Sequence, residues 1–128
     1  MRGFGLAVAA TMIASTAAAA DERFERSLHM LAPAERLEQL CDYTAMTRIR
    51  TEKKGFRPDR AVANAMAEPA TKGDVLQVTG GAFRSKKKWY SLTYRCEATP
   101  DRMRIVAFSY TIGEEIPEAK WVSFGLWE

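Results

Sequence analysis

Lys88-Trp89-Tyr90-Ser91-Leu92-Thr93-Tyr94-Arg95-Cys96-Glu97-Ala98 is the stretch that decides the fold. Its even positions, Tyr90, Leu92, Tyr94 and Cys96, are apolar or aromatic, and its odd positions from Ser91 onward are polar. A period of two over this length predicts a strand over 88–98, with the even face inward and Trp89, Ser91, Thr93 and Arg95 outward. Thr99-Pro100-Asp101-Arg102 reads as a turn with proline at its second place. The following run, 103–112, predicts another strand with Val106, Phe108, Tyr110 and Ile112 on one face. Before the deciding stretch, Val75-Leu76-Gln77-Val78 reads as a short strand and Gly80-Gly81 as a bulge or kink. Ala82-Phe83-Arg84-Ser85 resumes the extended pattern, and Lys86-Lys87 forms the tip. Together these predict a three-stranded antiparallel meander.

Upstream, the spacing changes to three and four. Leu37, Leu40, Cys41, Thr44, Ala45 and Ile49 predict an amphipathic helix over 34–50. Pro33 and Glu35 suit its first turn. Thr51 to Arg57 breaks the pattern at Gly55, and Pro58-Asp59-Arg60 reads as the start of a second, shorter helix through Val62, Ala65 and Met66. Lys72-Gly73-Asp74 reads as a turn. At the other end, Gly113 and Ile116-Pro117 should stop the last strand, with a helical turn at Pro117–Lys120. Trp121, Phe124 and Leu126 should then fold back onto the core, and Trp127 reads as packing too. The expected class is α+β: N-terminal helices on a three-stranded antiparallel sheet, with a C-terminal helical turn.

Residues 1–20 read as a cleavable signal peptide. Arg2 precedes an apolar run from Phe4, and the small residues Ala18 and Ala20 stand before the charged Asp21-Glu22-Arg23. The alternative is an uncleaved anchor, for which Phe4 to Ala20 is at the short limit of a membrane span. Cleavage after Ala20 leaves 108 residues: a polar lead-in, 21–32, and one domain, 33–128, that should be periplasmic or secreted. No second apolar stretch reaches spanning length. The mature charge, 18 Lys+Arg against 16 Asp+Glu, is too balanced to name a polyanion partner by itself. Cys41 and Cys96 form an even pair in an oxidising compartment, which argues for one disulfide over free thiols or a metal site. Cys41 lies on the helix stripe and Cys96 on the inward strand face, so the bridge would join helix to sheet.

Several blocks carry a family resemblance. Arg36-Leu37-Glu38-Gln39-Leu40-Cys41-Asp42, Gly81-Ala82-Phe83-Arg84-Ser85, Trp89 to Cys96, and Ile112-Gly113-Glu114-Glu115-Ile116-Pro117 before Trp121 occur in that order. The chain from Leu31 to Trp127 thereby resembles a family of small exported alphaproteobacterial, rhizobial-type proteins described only as a domain of unknown function (DUF930-like). The resemblance implies an exported α+β domain with a Cys pair. It implies no activity, ligand or catalytic residue.

The residues themselves offer little catalytic chemistry. His29 is the single histidine, and pairing it with Cys41 as nucleophile and base would require a free thiol. Ser85-Lys86-Lys87-Lys88 matches Ser-x-x-Lys but lacks the companion motifs and the helical setting of acylating enzymes. One histidine and two distant cysteines make no zinc site, no calcium loop is present, and no glycine-rich phosphate loop links a strand to a helix. No cofactor is implied.

The distinctive surface feature is Arg84-Ser85-Lys86-Lys87-Lys88-Trp89-Tyr90, four cations followed by two aromatics. With Trp89 outward beside Arg95, this hairpin would present an exposed aromatic in a basic patch suited to an anionic envelope glycan, a lipid phosphate or an acidic protein. Nucleic acid is not expected for an exported domain. The competing explanation is a solvated tip whose lysines protect a sheet edge. The functional expectation is a non-catalytic envelope interaction module. The alternatives are a small envelope enzyme using carboxylates such as Asp101, Glu114 or Glu115, or a secreted inhibitor or accessory subunit of a larger enzyme.

Overall fold

The computed structural model describes Gly3, Gly5 and residues 16–128, so most of the expected signal peptide lies outside the described residues. Two helices, α1 (Thr16–His29) and α2 (Pro33–Glu52), precede five strands. These are β1 (Pro58–Val62), β2 (Ala70–Lys72), β3 (Val75–Ser85), β4 (Lys88–Ala98) and β5 (Ile105–Glu115). Two 3-10 turns, Glu118–Lys120 and Val122–Phe124, end the chain. The sheet is antiparallel with order β1-β3-β4-β5, and β2 pairs with the other half of the β3 edge. Among the described residues, no helix is long and apolar enough to cross a membrane.

The class is α+β, with corrections in detail. The sheet has five strands where three were expected, because 58–62 is a strand paired with 82–85 and not the start of a helix. The local signals at Pro58-Asp59-Arg60 suit a helix start, but pairing along β3 satisfies the backbone and buries Pro58, which overrides local preference. The lead-in is also more ordered than its polarity suggested, since α1 runs to His29 and buries Leu28 against α2. The Gly80-Gly81 expectation holds: the β3–β4 register shifts between Val78 and Gly81. A Cβ at Gly80 would collide with the backbone at Met66 and Ala67. Gly113 does not end β5. It lies inside the strand, where a Cβ would collide with the Ser91 side chain.

The main core lies between α2 and one sheet face. Leu37, Leu40, Cys41, Ala45 and Ile49 from α2 meet Leu76, Val78, Phe83, Leu92, Tyr94 and Cys96. Phe108, Tyr110 and Ile112 of β5 pack at its margin, while Val106 is 60% exposed and leaves the expected face. A register shift between Glu97 and Ala98 brings Ile105 opposite Ala98 instead. The Cys41–Cys96 disulfide crosses this layer, with Cα atoms 5.9 Å apart. Next to it, the Tyr94 hydroxyl donates to Asp42 Oδ1 at 2.7 Å. A second, smaller core occupies the opposite sheet face, where the C-terminal segment lays Trp121 and Leu126 over Ala82 and Trp89.

Candidate functional site at the basic end

The β3–β4 hairpin turns through two residues, with Ser85 opposite Lys88. Both central residues are left-handed, Lys86 at φ 51° and Lys87 at φ 65°. Positive φ at both positions matches a type I′ turn, which follows the twist of the flanking strands and normally takes asparagine and glycine. A side chain with a Cβ in this region costs about 1–2 kcal/mol per residue. Both lysines are exposed and stand without an ion pair among the described residues.

The other residues expected at this site divide. Arg84 is held flat by a two-pronged bond to Asp59, at 3.1 and 2.7 Å, and its guanidinium lies 6.0 Å from the Trp89 ring centre. The hydrogen bond from Arg84 holds the Asp59 carboxyl below its ordinary range. Lys88 is exposed, 3.8 Å from Glu115. Arg95 is exposed but separate: it lies well along β4, opposite Gln77 and Ser109 and 3.8 Å from Glu97. Trp89 requires a correction. It points away from Leu92 and Tyr94 as expected, yet it is 0% exposed. The C-terminal segment covers it: its indole N–H donates to the Trp127 carbonyl at 2.7 Å, and the Trp127 ring packs edge-on at 5.2 Å. The patch therefore presents cations without an exposed Trp89.

Beside the hairpin, a cleft of about 540 Å³ is lined by Asp59, Arg84, Lys87, Glu118, Trp121 and Glu128. Its charge is mixed, so this side does not favour a polyanion. The opposite side does. β1 pairing sets Pro58 against Ser85, and the Arg57 N–H donates to Ser85 Oγ at 2.8 Å. This places the α2–β1 loop, with Lys53, Lys54 and Arg57, next to the hairpin. Sequence reading missed this second basic segment because it took 58–62 as a helix. The cluster Lys53-Lys54-Gly55-Phe56-Arg57 was visible, but its neighbour across the sheet was not.

The catalytic candidates come apart. Ser85 is buried with its hydroxyl engaged by Arg57, and Cys41 is in the disulfide, so neither is a nucleophile. Glu114 and Glu115 are exposed on the strand end. Asp101 is exposed too, and its carboxyl is held below the ordinary range by the Thr99 hydroxyl and the Met103 N–H. The strongly perturbed carboxyl is Asp42, which was not anticipated. Burial pushes it up to about 7, the Tyr94 hydrogen bond opposes that shift, and Glu38 adds to it. It lies 5% exposed under α2, out of reach of a substrate.

The fold and this end of it define a small disulfide-stapled α+β domain with a basic hairpin. The chain matches the family described as Domain of Unknown Function (DUF930) over residues 28–126 and belongs to that family. No curated protein and no solved structure matches it.

Proposed function

We propose that the protein is an exported, periplasmic or secreted, non-catalytic interaction module of the cell envelope, and that its β3–β4 hairpin engages an anionic partner. An envelope glycan, a lipid phosphate and an acidic protein all meet that description. The observation that carries the reading is the tip itself. Lys86 and Lys87 occupy left-handed positions that asparagine and glycine would fill at lower cost. Strain of this kind concentrates at functional positions, where the side chain is retained in spite of it. The signal-peptide pattern at residues 1–20 and the disulfide support an oxidising compartment outside the cytoplasm. Trp89 has no part in contact and serves as the packing that fixes the hairpin base.

Co-sedimentation with isolated envelope fragments tests this. Wild-type protein should bind, and binding should weaken as salt rises from about 0.05 to 0.5 M, since exposed charges are screened over about 8–10 Å at ordinary ionic strength. The double variant K86E/K87E should lose most binding while keeping its circular dichroism. Binding indifferent to both salt and these substitutions would overturn the reading.

A further inference from the structure

The α2–β1 loop encloses a pocket of about 370 Å³ lined by Arg50, Lys53, Lys54, Gly55, Phe56 and Arg57. Four of these six residues are cations, and no carboxylate among the described residues lines the pocket. Glu52, the nearest acid in sequence, is committed to Arg48 at 2.7 Å. The negative end of the α2 dipole accounts for cations in the last turn and at the cap, such as Arg50 and Lys53. It does not account for Lys54 and Arg57, which lie beyond the helix. The loop is also held in shape. Phe56 packs edge-on against Phe83 and Tyr90, with ring centres 5.4 and 5.0 Å away. Gly55 makes the bend at φ 92°, Arg50 donates to the Pro58 carbonyl at 2.6 Å, and the Arg57 N–H is tied to Ser85. Exposed cations gathered on a loop of fixed backbone suit a compact anion bearing several acceptor oxygens, and a guanidinium can bind a phosphate through two parallel hydrogen bonds.

The geometry points to this pocket as a binding site for the phosphate of an anionic phospholipid, with the hairpin lysines resting on the same membrane surface. This rests on the anionic-partner reading above and names its chemistry. A surface is favoured over a single free ion because two basic segments, 53–57 and 86–88, lie side by side at one end of the sheet. One phosphate fills one pocket, whereas a bilayer offers headgroups to both segments. Each basic side chain near an anionic bilayer strengthens attachment roughly fivefold.

The test uses vesicles of phosphatidylglycerol with phosphatidylcholine, vesicles of phosphatidylcholine alone, and inorganic phosphate. Wild-type protein should sediment with the first and not the second, and K53Q/K54Q should bind the first at least tenfold more weakly. These side chains are exposed, so the fold should persist by circular dichroism. Full binding by K53Q/K54Q alongside loss by K86E/K87E would overturn the pocket assignment and leave the hairpin reading standing. Saturation by millimolar inorganic phosphate without vesicle binding would overturn the lipid assignment. Envelope binding that depends on Lys86 and Lys87, with no response to either vesicle or phosphate, would overturn the phosphate class. Envelope binding indifferent to K86E/K87E would overturn the reading beneath it.

Discussion

Asp42 and Tyr94 make one hydrogen bond beneath α2, and that bond ties stability to pH. Burial raises the Asp42 carboxyl from 3.8 to about 7. Between those values the folded chain keeps a proton that the unfolded chain releases, so stability falls as pH rises from about 4 to about 7 and levels off above that. The shift corresponds to about 4 kcal/mol at 1.36 kcal/mol per pH unit. Denaturant titrations at pH 5 and pH 8 should show wild-type protein more stable at pH 5, with D42N largely abolishing the difference. Equal wild-type stability at the two pH values would mean that Asp42 is ionised at both. Buried polar partners of this kind are hard to see in a sequence. The alternation identified Tyr94 as inward, but nothing in the sequence says that the polar residue following Cys41 turns under the helix. Two arginines hide in the same way. Arg36 donates to the carbonyls of Leu28, His29, Leu31 and Asp101. Arg102 donates to Pro33 and Gly73 and pairs with Asp74. A charge count treats both as surface, while their hydrogen bonds join the helices to the loops.

The β3–β4 hairpin is the element where local and global preferences conflict most openly. Replacing its tip with the residues a type I′ turn favours, K86N/K87G, should raise stability by about 1–2 kcal/mol, because glycine removes the left-handed Cβ penalty at 87 while asparagine keeps its Cβ and gains less at 86. The same change should weaken attachment to envelope fragments. Urea unfolding and co-sedimentation on one preparation measure both, and unchanged stability would mean that the turn carries no strain. The single C-terminal helical turn expected at Pro117–Lys120 is instead two 3-10 turns, Glu118–Lys120 and Val122–Phe124. Elements whose periodicity was long were legible: α2 over most of its length and β4 from Lys88 to Ala98. The short ones were not. β2 has three exposed residues and no pattern to read. β1 has five, and it is a strand because β3 lies beside it. Where a segment's conformation is set by a neighbour 25 residues away along the chain, as Arg84 is from Asp59, local signals cannot supply it.

For the whole molecule, the decisive arrangement is two cores on opposite faces of one sheet. A single core was expected, and the C-terminal aromatics were assigned to it. They form the second core instead, and that is why Trp89 is buried while pointing outward. The hairpin cations of the candidate site were therefore legible in the sequence; the basic loop beside them and the burial of Trp89 were not, since residues 57 and 85, like 89 and 127, meet only in three dimensions. The Cys41–Cys96 bridge belongs to the main core. Its reduction should lower stability by about 2–5 kcal/mol, as for other small stapled domains, measurable by urea unfolding with and without reductant. A change of only a few tenths would mean that the packing around Ala45 and Leu92 holds the layers together alone. The bridge also changes what a cut means. It closes a ring that takes in the end of α2, β1, β2, β3 and most of β4, leaving α1, β5 and the C-terminal segment as two free arms. A protease that severs one peptide bond in the exposed stretch 66–68 opens that ring but releases nothing. The two pieces remain one covalent molecule, with both cores spanning the break, so the domain can survive a nick that would divide an unbridged chain.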